Sequence, residues 1–455
     1  MKIGFLTAIR EDHFLPGEDF PKRYMANLAP LYLAAYLRKK GLPVEVHIKD
    51  RLADLEALEP EILGISSVTE NFEFAKVLAK RAKSRWNPIT ILGGVHITAL
   101  PQTLPVDFDI GVLGEGEETI SELVAAILKR GSLPGPETLN KIDGLVFRDR
   151  GALRSTQARE NLPQIDEVPF PERSSYIEKI GTAYLMTSRG CPYTCSFCVI
   201  PGVIKGYRKH STDYVIEEIK SIKQAFPDLH HIRIFDDLYI VDRNRTKEIA
   251  ERVAAEGLSQ EISFGCWGRA NLLDKDLLRA FQKMNMMYVA FGAESGSSRV
   301  LSKIKPASSI DENQLAIDML NDHGVHPSCS VILGHPNETE EDLWATYDFI
   351  ERNMGKLLEV EFNVAIPWPG TELWDVARAR GLVGEDMDFG VLKECAHFPN
   401  YSTELYPYLN TVISPERFDL ILVEFKRLFK KMISKIETLG LKNQVNPLHE
   451  IAVLH

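Results

Sequence analysis

The chain has 455 residues, 44% hydrophobic and 26% charged, an ordinary globular composition with room for about two to four domains. Its 53 Lys and Arg against 64 Asp and Glu leave a formal charge of −11, which excludes the basic face of a general nucleic-acid binder. No apolar run approaches the roughly 18 residues of a membrane span. Residues 1–6 run straight on towards Arg10, Glu11 and Asp12 without a signal-peptide core, so the cytoplasm is the expected compartment.

Residues 1–130 alternate strand and helix. Residues 2–7 read as a short apolar strand. Residues 27–40 read as a helix with Leu28, Leu31, Ala34, Ala35 and Leu37 apolar and Gly41 as its stop. Val44, Val46 and Ile48 alternate as a second strand. Residues 62–66, 89–92 and 110–113 are three more, and 117–129 a helix. This rhythm predicts an α/β doubly wound parallel sheet. Residues 131–180 hold a hairpin over 144–154 and then Pro163, Pro169 and Pro171, a proline-stiffened linker.

From 181 to 375 the rhythm resumes on a larger scale, with strands at 183–187, 231–235, 262–265, 287–291, 328–333 and 360–365. Six units are too few for a closed eight-fold barrel, so a partial (β/α)6 TIM barrel is predicted, with its chemistry at the strand C-termini. Residues 376–455 read as a mostly helical cap carrying Tyr401, Tyr406, Tyr408 and His397. Its last helix, 415–439, has an apolar stripe of Leu422, Phe425, Phe429, Met432, Ile433 and Ile436. Lys426, Arg427, Lys430, Lys431 and Lys435 lie opposite, as a solvated face or a contact for an anionic partner.

The six cysteines sit at 191, 195, 198, 266, 329 and 395. Cys191, Cys195 and Cys198 follow the first barrel strand at C-x3-C-x2-C spacing, which disfavours a disulfide framework. Soft thiolates at this spacing select an iron–sulfur cluster or zinc. Structural zinc wants a fourth ligand, and the first histidine downstream is His210. Three thiolates on a four-iron cluster leave one iron open to a chelating small molecule. The bland alternative is three free thiols at chance spacing.

This loop, with Phe197 just before the third cysteine, resembles the signature of radical S-adenosylmethionine (SAM) enzymes. The resemblance implies one 4Fe-4S cluster on Cys191, Cys195 and Cys198, whose open iron binds SAM. An electron from the cluster then cleaves SAM to methionine and a 5′-deoxyadenosyl radical. Further strand ends fit that fold over residues 181–375. Asp236 and Asp237 resemble the family's acidic contact to the SAM amino group, and Arg269 follows the third strand. Gly292, Glu294, Ser295, Gly296 and Ser297 resemble its GxESGS segment, whose polar side chains approach SAM. Gly334 opens the loop after the fifth strand, and Pro367 that after the sixth, where the family holds adenine. Any one of these clusters alone is an ordinary turn.

The first 130 residues resemble the Rossmann-like cobalamin-binding domain of one radical SAM subclass. Ser66, Ser67 and Thr69 follow the third strand, Gly93 and Gly94 the fourth, and Gly114 and Glu115 the fifth. Glycines let backbone approach a large ligand, and hydroxyls can bond its nucleotide tail. The Asp-x-His-x-x-Gly segment of histidine-ligated cobalamin domains is not matched by Asp12, His13 and Gly17, so no histidine lower ligand is implied. A domain that binds nothing is the alternative, and His13 reads as a loop residue.

No cysteine precedes Cys191 and Cys395 stands alone beyond the barrel, so one cluster is the limit. Cys266 reads as a buried thiol or a pocket residue, and Cys329 as core. The resemblance implies a cobalamin-dependent radical SAM C-methyltransferase acting on a small molecule, reduced by a flavodoxin- or ferredoxin-type donor. The alternatives are a radical SAM cyclase, oxidase, dehydratase or deoxygenase, or a non-catalytic carrier of cobalamin or cluster.

Overall fold

The computed structural model describes residues 1–8, 27–171, 173, 182–396, 398–405 and 407–438. The 12–17 segment with His13, and also His397 and Tyr406, lie outside them. The chain forms two compact units. One is Met1–Lys179 with Gly202–Lys205 and Gly384–Lys393; the other is Ile180–Pro201 with Gly206–Val383 and Glu394–His455.

In the first unit β1 (Lys2–Thr7), β2 (Glu45–Lys49), β3 (Ile62–Ser66), β4 (Ile89–Gly93) and β5 (Ile110–Val112) are parallel, in the order β2-β1-β3-β4-β5. In such a doubly wound sheet the order reverses between β1 and β3, so the ligand crevice lies beyond the carboxyl ends there. Helix Leu28–Lys39 starts where the Asn27 side chain accepts a hydrogen bond from the Ala29 amide. Helix Glu117–Arg130 packs Leu123, Val124 and Ile127 onto Ile3, Ile62 and Ile110. It ends on left-handed Gly131.

The expected hairpin forms but does not stand apart as linker. Its strands β6 (Leu145–Asp149) and β7 (Ala152–Ser155) add antiparallel to β5 and extend the sheet to seven strands. Leu145, Val146 and Phe147 are all buried, which a free-standing linker could not achieve, and β6 covers the bare edge of β5. A second departure lies in the expected cap: Gly384–Lys393 belongs to the first unit. There Phe389 meets Phe72 and His96 edge-on at 5.5 and 4.6 Å.

The second unit is built on β8 (Thr182–Leu185), a short antiparallel pair of β9 (Ser188–Arg189) and β10 (Arg208–Lys209), then β11 (His231–Ile234), β12 (Ser263–Gly268), β13 (Met286–Glu294), β14 (His326–Leu333) and β15 (Glu359–Val364). Strands β8, β11, β12, β13, β14 and β15 form one parallel sheet in chain order, the open, partial barrel expected. Helix Pro415–Thr438 lies on its outer face. Phe362 of β15 meets Phe425 at 6.0 Å and Phe429 at 6.3 Å. Burying each such ring contributes about 1.5–3 kcal/mol.

The basic side of that helix is engaged at home. Lys435 donates to the carbonyls of Met354 and Leu357 at 2.8 and 2.7 Å, and Lys426 to that of Tyr401 at 2.8 Å. These two lysines brace the helix against its own unit, which fits a packed structural helix. Among the described residues no helix is long and apolar enough to cross a membrane.

Candidate functional site

The cysteine loop leaves β9 at Arg189 and is tied down at three backbone points. Cys198 N donates to Cys195 O at 3.1 Å, Ser196 N to Ile304 O at 3.0 Å, and Leu373 N to Ser196 O at 3.4 Å. Cys191, Cys195 and Cys198 are half-buried free thiols. Burial pushes all three up, Cys198 to about 12, so each holds its proton until a metal displaces it. Among the described residues no three His, Cys, Asp or Glu side chains close on one point as the ligands of a single ion do. Three thiols within electrostatic reach of one another suit a cluster that gives each sulfur its own iron.

Buried Arg269, just past β12, clamps this loop. Its Nη1 is 3.7 Å from Cys195 Sγ, and the guanidinium stacks on Tyr193 at 3.9 Å from the ring centroid. Nη2 donates to Pro306 O and, at 2.9 Å, to Ser308 Oγ. The fork thus fixes a positive charge beside the thiols. Phe197 lies between the second and third cysteines, its ring 6.4 Å from that of His335.

The two aspartates after β11 are used differently. Asp236 accepts from Thr187 N, Thr187 Oγ1 and Ser188 Oγ, each at 2.6 Å, and so fixes the approach to the cysteine loop. Arg245 holds the same corner through Thr187 O at 2.7 Å and His210 O at 2.7 Å. Asp237 accepts from Gly190 N through Oδ2 at 2.9 Å, and burial pushes its carboxyl up to about 6.

At the end of β13 a bulge turns Glu294 inward with φ of 62°, a left-handed conformation costing about 1–2 kcal/mol outside glycine. Its carboxylate pairs with buried Lys305 at 3.1 Å, and Lys305 also donates to Gly292 O. A Cβ at 292 would stand 1.6 Å from Glu294 Oε1, so glycine there makes the fold-back possible. Ser295 instead turns to the adjoining helix, with Oγ 3.2 Å from Thr346 Oγ1.

The β14 loop is ordered by Glu338, whose Oε2 accepts from Gly334 N at 2.6 Å and His335 N at 3.2 Å. Asn410 of the C-terminal segment donates to the carbonyls of His335 and Glu338 at 2.7 and 2.8 Å. Pro367 is buried at the end of β15. Cys266 and Cys329 are buried within strands. Cys266 pairs in register with Ile234 and Val289.

In the first unit the singled-out turns gather at the ends of β3, β4 and β5. Ser67 Oγ is 2.9 Å from both Val68 O and Asn71 Oδ1. Thr69 Oγ1 is 3.1 Å from His96 Nδ1, whose Nε2 is 3.2 Å from Thr103 Oγ1. Both nitrogens of that histidine are thereby occupied. Gly94, at φ of 108°, lets the loops touch, since a Cβ there would stand 2.3 Å from Ser67 O. Gly93 and Gly114 face open space, and Glu115 Oε2 accepts from Leu162 N at 3.3 Å. Ser66, the last residue of β3, is half-buried. Glu70, beside Thr69, is buried with both oxygens unpartnered. Open glycine cradles and an orphaned carboxylate fit a large polar ligand over these turns.

Residues 185–350 match the radical SAM superfamily and residues 22–124 the B12 binding domain. An uncharacterized methyltransferase of Pyrococcus horikoshii is 31% identical over 397 residues, covering 81% of this chain and 83% of its own. The chain belongs to the radical SAM enzymes that carry a B12-binding domain. Its family cofactors are a 4Fe-4S cluster, SAM and cobalamin, and the reaction needs a reductant. Within this radical SAM family, an anaerobic magnesium-protoporphyrin IX monomethyl ester cyclase of Cereibacter sphaeroides is 27% identical, over 76% of this chain and 59% of its own. This chain therefore spans less than two thirds of that relative. The fold of the radical SAM methyltransferase TsrM from Kitasatospora setae superposes with a TM-score of 0.69 at 17% identity, over 84% of this chain and 77% of that one.

Sequence reasoning missed Arg245, Lys305, His335 and Glu338 as parts of this radical SAM site. Lys305 and Arg245 lie within or beyond helices, outside any motif. His335 and Glu338 lie in the loop that Gly334 opens, and nothing in the sequence marked which of its side chains turn inward.

Proposed function

We propose that this enzyme methylates an unactivated carbon of a small molecule in a cobalamin-dependent radical SAM reaction. The observation that carries the reading is the presence, in one chain, of a B12-binding match and a three-thiol loop held under a fixed guanidinium. Residues 1–130 with the appended hairpin of Leu145–Ser155 are the cobalamin domain, the proline-bearing stretch from 156 to 180 the link, 181–375 the catalytic barrel and 376–455, apart from Gly384–Lys393, the cap. When bound, the cluster and SAM supply a 5′-deoxyadenosyl radical and cobalamin supplies the methyl group.

Cys191, Cys195 and Cys198 hold the cluster. Arg269 offsets its charge and fixes the loop around Phe197. Asp236 acts as a positioning residue, its oxygens being taken by Thr187 and Ser188. Asp237 and Glu294 present carboxylates to the SAM amino group, Gly334 and Pro367 shape the walls, and Ser295 braces the Glu294 turn. Ser66, Ser67, Thr69, Gly93, Gly94, Gly114 and Glu115 form the cobalamin cradle. The reductant is a flavodoxin- or ferredoxin-type protein, and the compartment is the cytoplasm.

A cyclase reading is favoured by the relative of that name, in which case the radical is made but no methyl moves. Methyl-labelled SAM and the reconstituted enzyme, assayed with extracts of its source cells, separate the two. Label in a product together with deoxyadenosine supports methylation. Deoxyadenosine with no labelled product overturns it in favour of the cyclase.

A further inference from the structure

Arg269 is a buried cation, 3% exposed, with no carboxylate of its own. Nε donates to Asn271 Oδ1 at 3.1 Å, and Nη2 donates to Pro306 O and Ser308 Oγ, all of them neutral acceptors. The face of the guanidinium is taken by the Tyr193 ring. Among the described residues no Asp or Glu pairs with it. What remains is Nη1, 3.7 Å from Cys195 Sγ. A buried charge without a counter-charge is strongly unfavourable, so this one implies an anion at the thiols.

The placement of that charge is built into a corner at residues 305–308. Ser196 N donates to Ile304 O at 3.0 Å, which ties the corner to the cysteine loop. Ala307 takes φ of 58°, a left-handed conformation unfavourable outside glycine. Its carbonyl accepts from Asn271 Nδ2 at 2.8 Å, so Asn271 joins the corner to the guanidinium. Lys305 is answered by Glu294 at 3.1 Å. That neighbouring pair is neutral overall and leaves Arg269 as the uncompensated charge. On the other flank Asp237, held by Gly190 N at 2.9 Å, sets a carboxylate near Cys191 and Cys198. The three sulfurs therefore lie in unequal fields. Reduction adds negative charge to an iron–sulfur cluster, so a cation and an N–H donor at one of its sulfurs favour the reduced form, and a carboxylate opposes it.

We propose that Arg269 sets the reduction potential of the cluster. Its guanidinium at Cys195 Sγ raises the potential, Asp237 on the opposite flank lowers it, and the 305–308 corner is the device that holds the guanidinium in place. The electron comes from the external reductant, and Arg269 exchanges neither bond nor proton. The proposal rests on the reading of Cys191, Cys195 and Cys198 as the cluster ligands.

The test is an EPR-monitored redox titration of the anaerobically reconstituted full-length enzyme, without SAM and at mildly alkaline pH. Arg269→Gln removes the charge and is expected to lower the midpoint by at least about 59 mV, a tenfold change for one electron. Arg269→Lys keeps the charge without the fork and is expected to shift it less. Asp237→Asn removes the carboxylate of the other flank and is expected to shift the midpoint upward. An unchanged midpoint in Arg269→Gln overturns the proposal, and so does a downward shift in Asp237→Asn. A second measurement does not depend on how well a variant takes up iron. Wild-type enzyme made with arginine carrying nitrogen-15 in its guanidino group is expected to show a coupling to that nucleus in the pulsed EPR spectrum of the reduced cluster. Absence of the coupling overturns the contact with Cys195. A cluster indifferent to Arg269 sinks this proposal alone, and deoxyadenosine without methyl transfer sinks the proposed function alone. A wild-type preparation with no cluster signal sinks both.

Discussion

The turns of the first unit and the inner sheet face of the second leave their polar groups in different states. In the first, nearly every group at the turns is answered by a neighbour: Ser67 by Asn71, Thr69 by His96, His96 by Thr103, and Gly114 N by Thr98. In the second, the inner face leaves Glu361 Oε1, Tyr288 Oη, Ser328 Oγ and both nitrogens of His335 unpartnered. A self-satisfied rim is a shape built to hold a resident group. An inner face with orphaned polar atoms leaves them to a ligand that comes and goes. Glu70 is an exception among the turns of the first unit, an orphan where a resident ligand would need a polar contact.

The largest effect should come from breaking the buried Lys305–Glu294 ion pair. Lys305→Ala leaves Glu294 buried and uncompensated. It should cost about 3–5 kcal/mol in urea unfolding of the second unit, and SAM binding should fall with it. An unchanged midpoint would mean that Lys305 does not hold the Glu294 turn. In the first unit the corresponding break is Gly94→Ala, whose Cβ meets Ser67 O. The backbone strain alone is about 1–3 kcal/mol, and cobalamin retention after gel filtration should be lost. Full retention would show that the packing of these turns does not shape the cradle.

Arg269→Lys keeps the charge but loses the fork onto Pro306 and Ser308 and the stack on Tyr193. Deoxyadenosine formation should drop about 10–100-fold while iron content after reconstitution changes less. Equal rates would reduce Arg269 to a bystander. The smallest effect is in pH. Burial raises Glu338 to about 8, so the native state binds its proton more tightly than the unfolded chain does. Its contribution is therefore full below about 4.5 and is lost as pH rises through about 8. Glu338→Gln should flatten that decline in thermal melts between those limits. A decline as steep as that of the wild type would place it on another group.

What was legible in the sequence follows the same division. Period-two apolar runs and the tight cysteine spacing depend only on near neighbours, so the strands and the thiol loop could be read directly. β1 and β3 fall on the residues expected of them. Hairpin pairing to β5 and the return of Phe389 to His96 join residues far apart in sequence, and no local pattern signals either. Asp236 and Asp237 look equivalent in sequence. Only the fold shows that one is consumed by Thr187 and Ser188 while the other accepts from Gly190 N. The polar inner face was present as the alternation Glu359, Glu361, Asn363, yet buried charge on a barrel strand runs against the usual apolar filling.

The central claim is that the thiol loop carries radical SAM chemistry. Its most direct test is 5′-deoxyadenosine formation from SAM by the anaerobically reconstituted, reduced enzyme, compared with Cys191→Ala. The account predicts turnover by the wild type and none above background by the variant. Deoxyadenosine from the variant at the wild-type rate would contradict it.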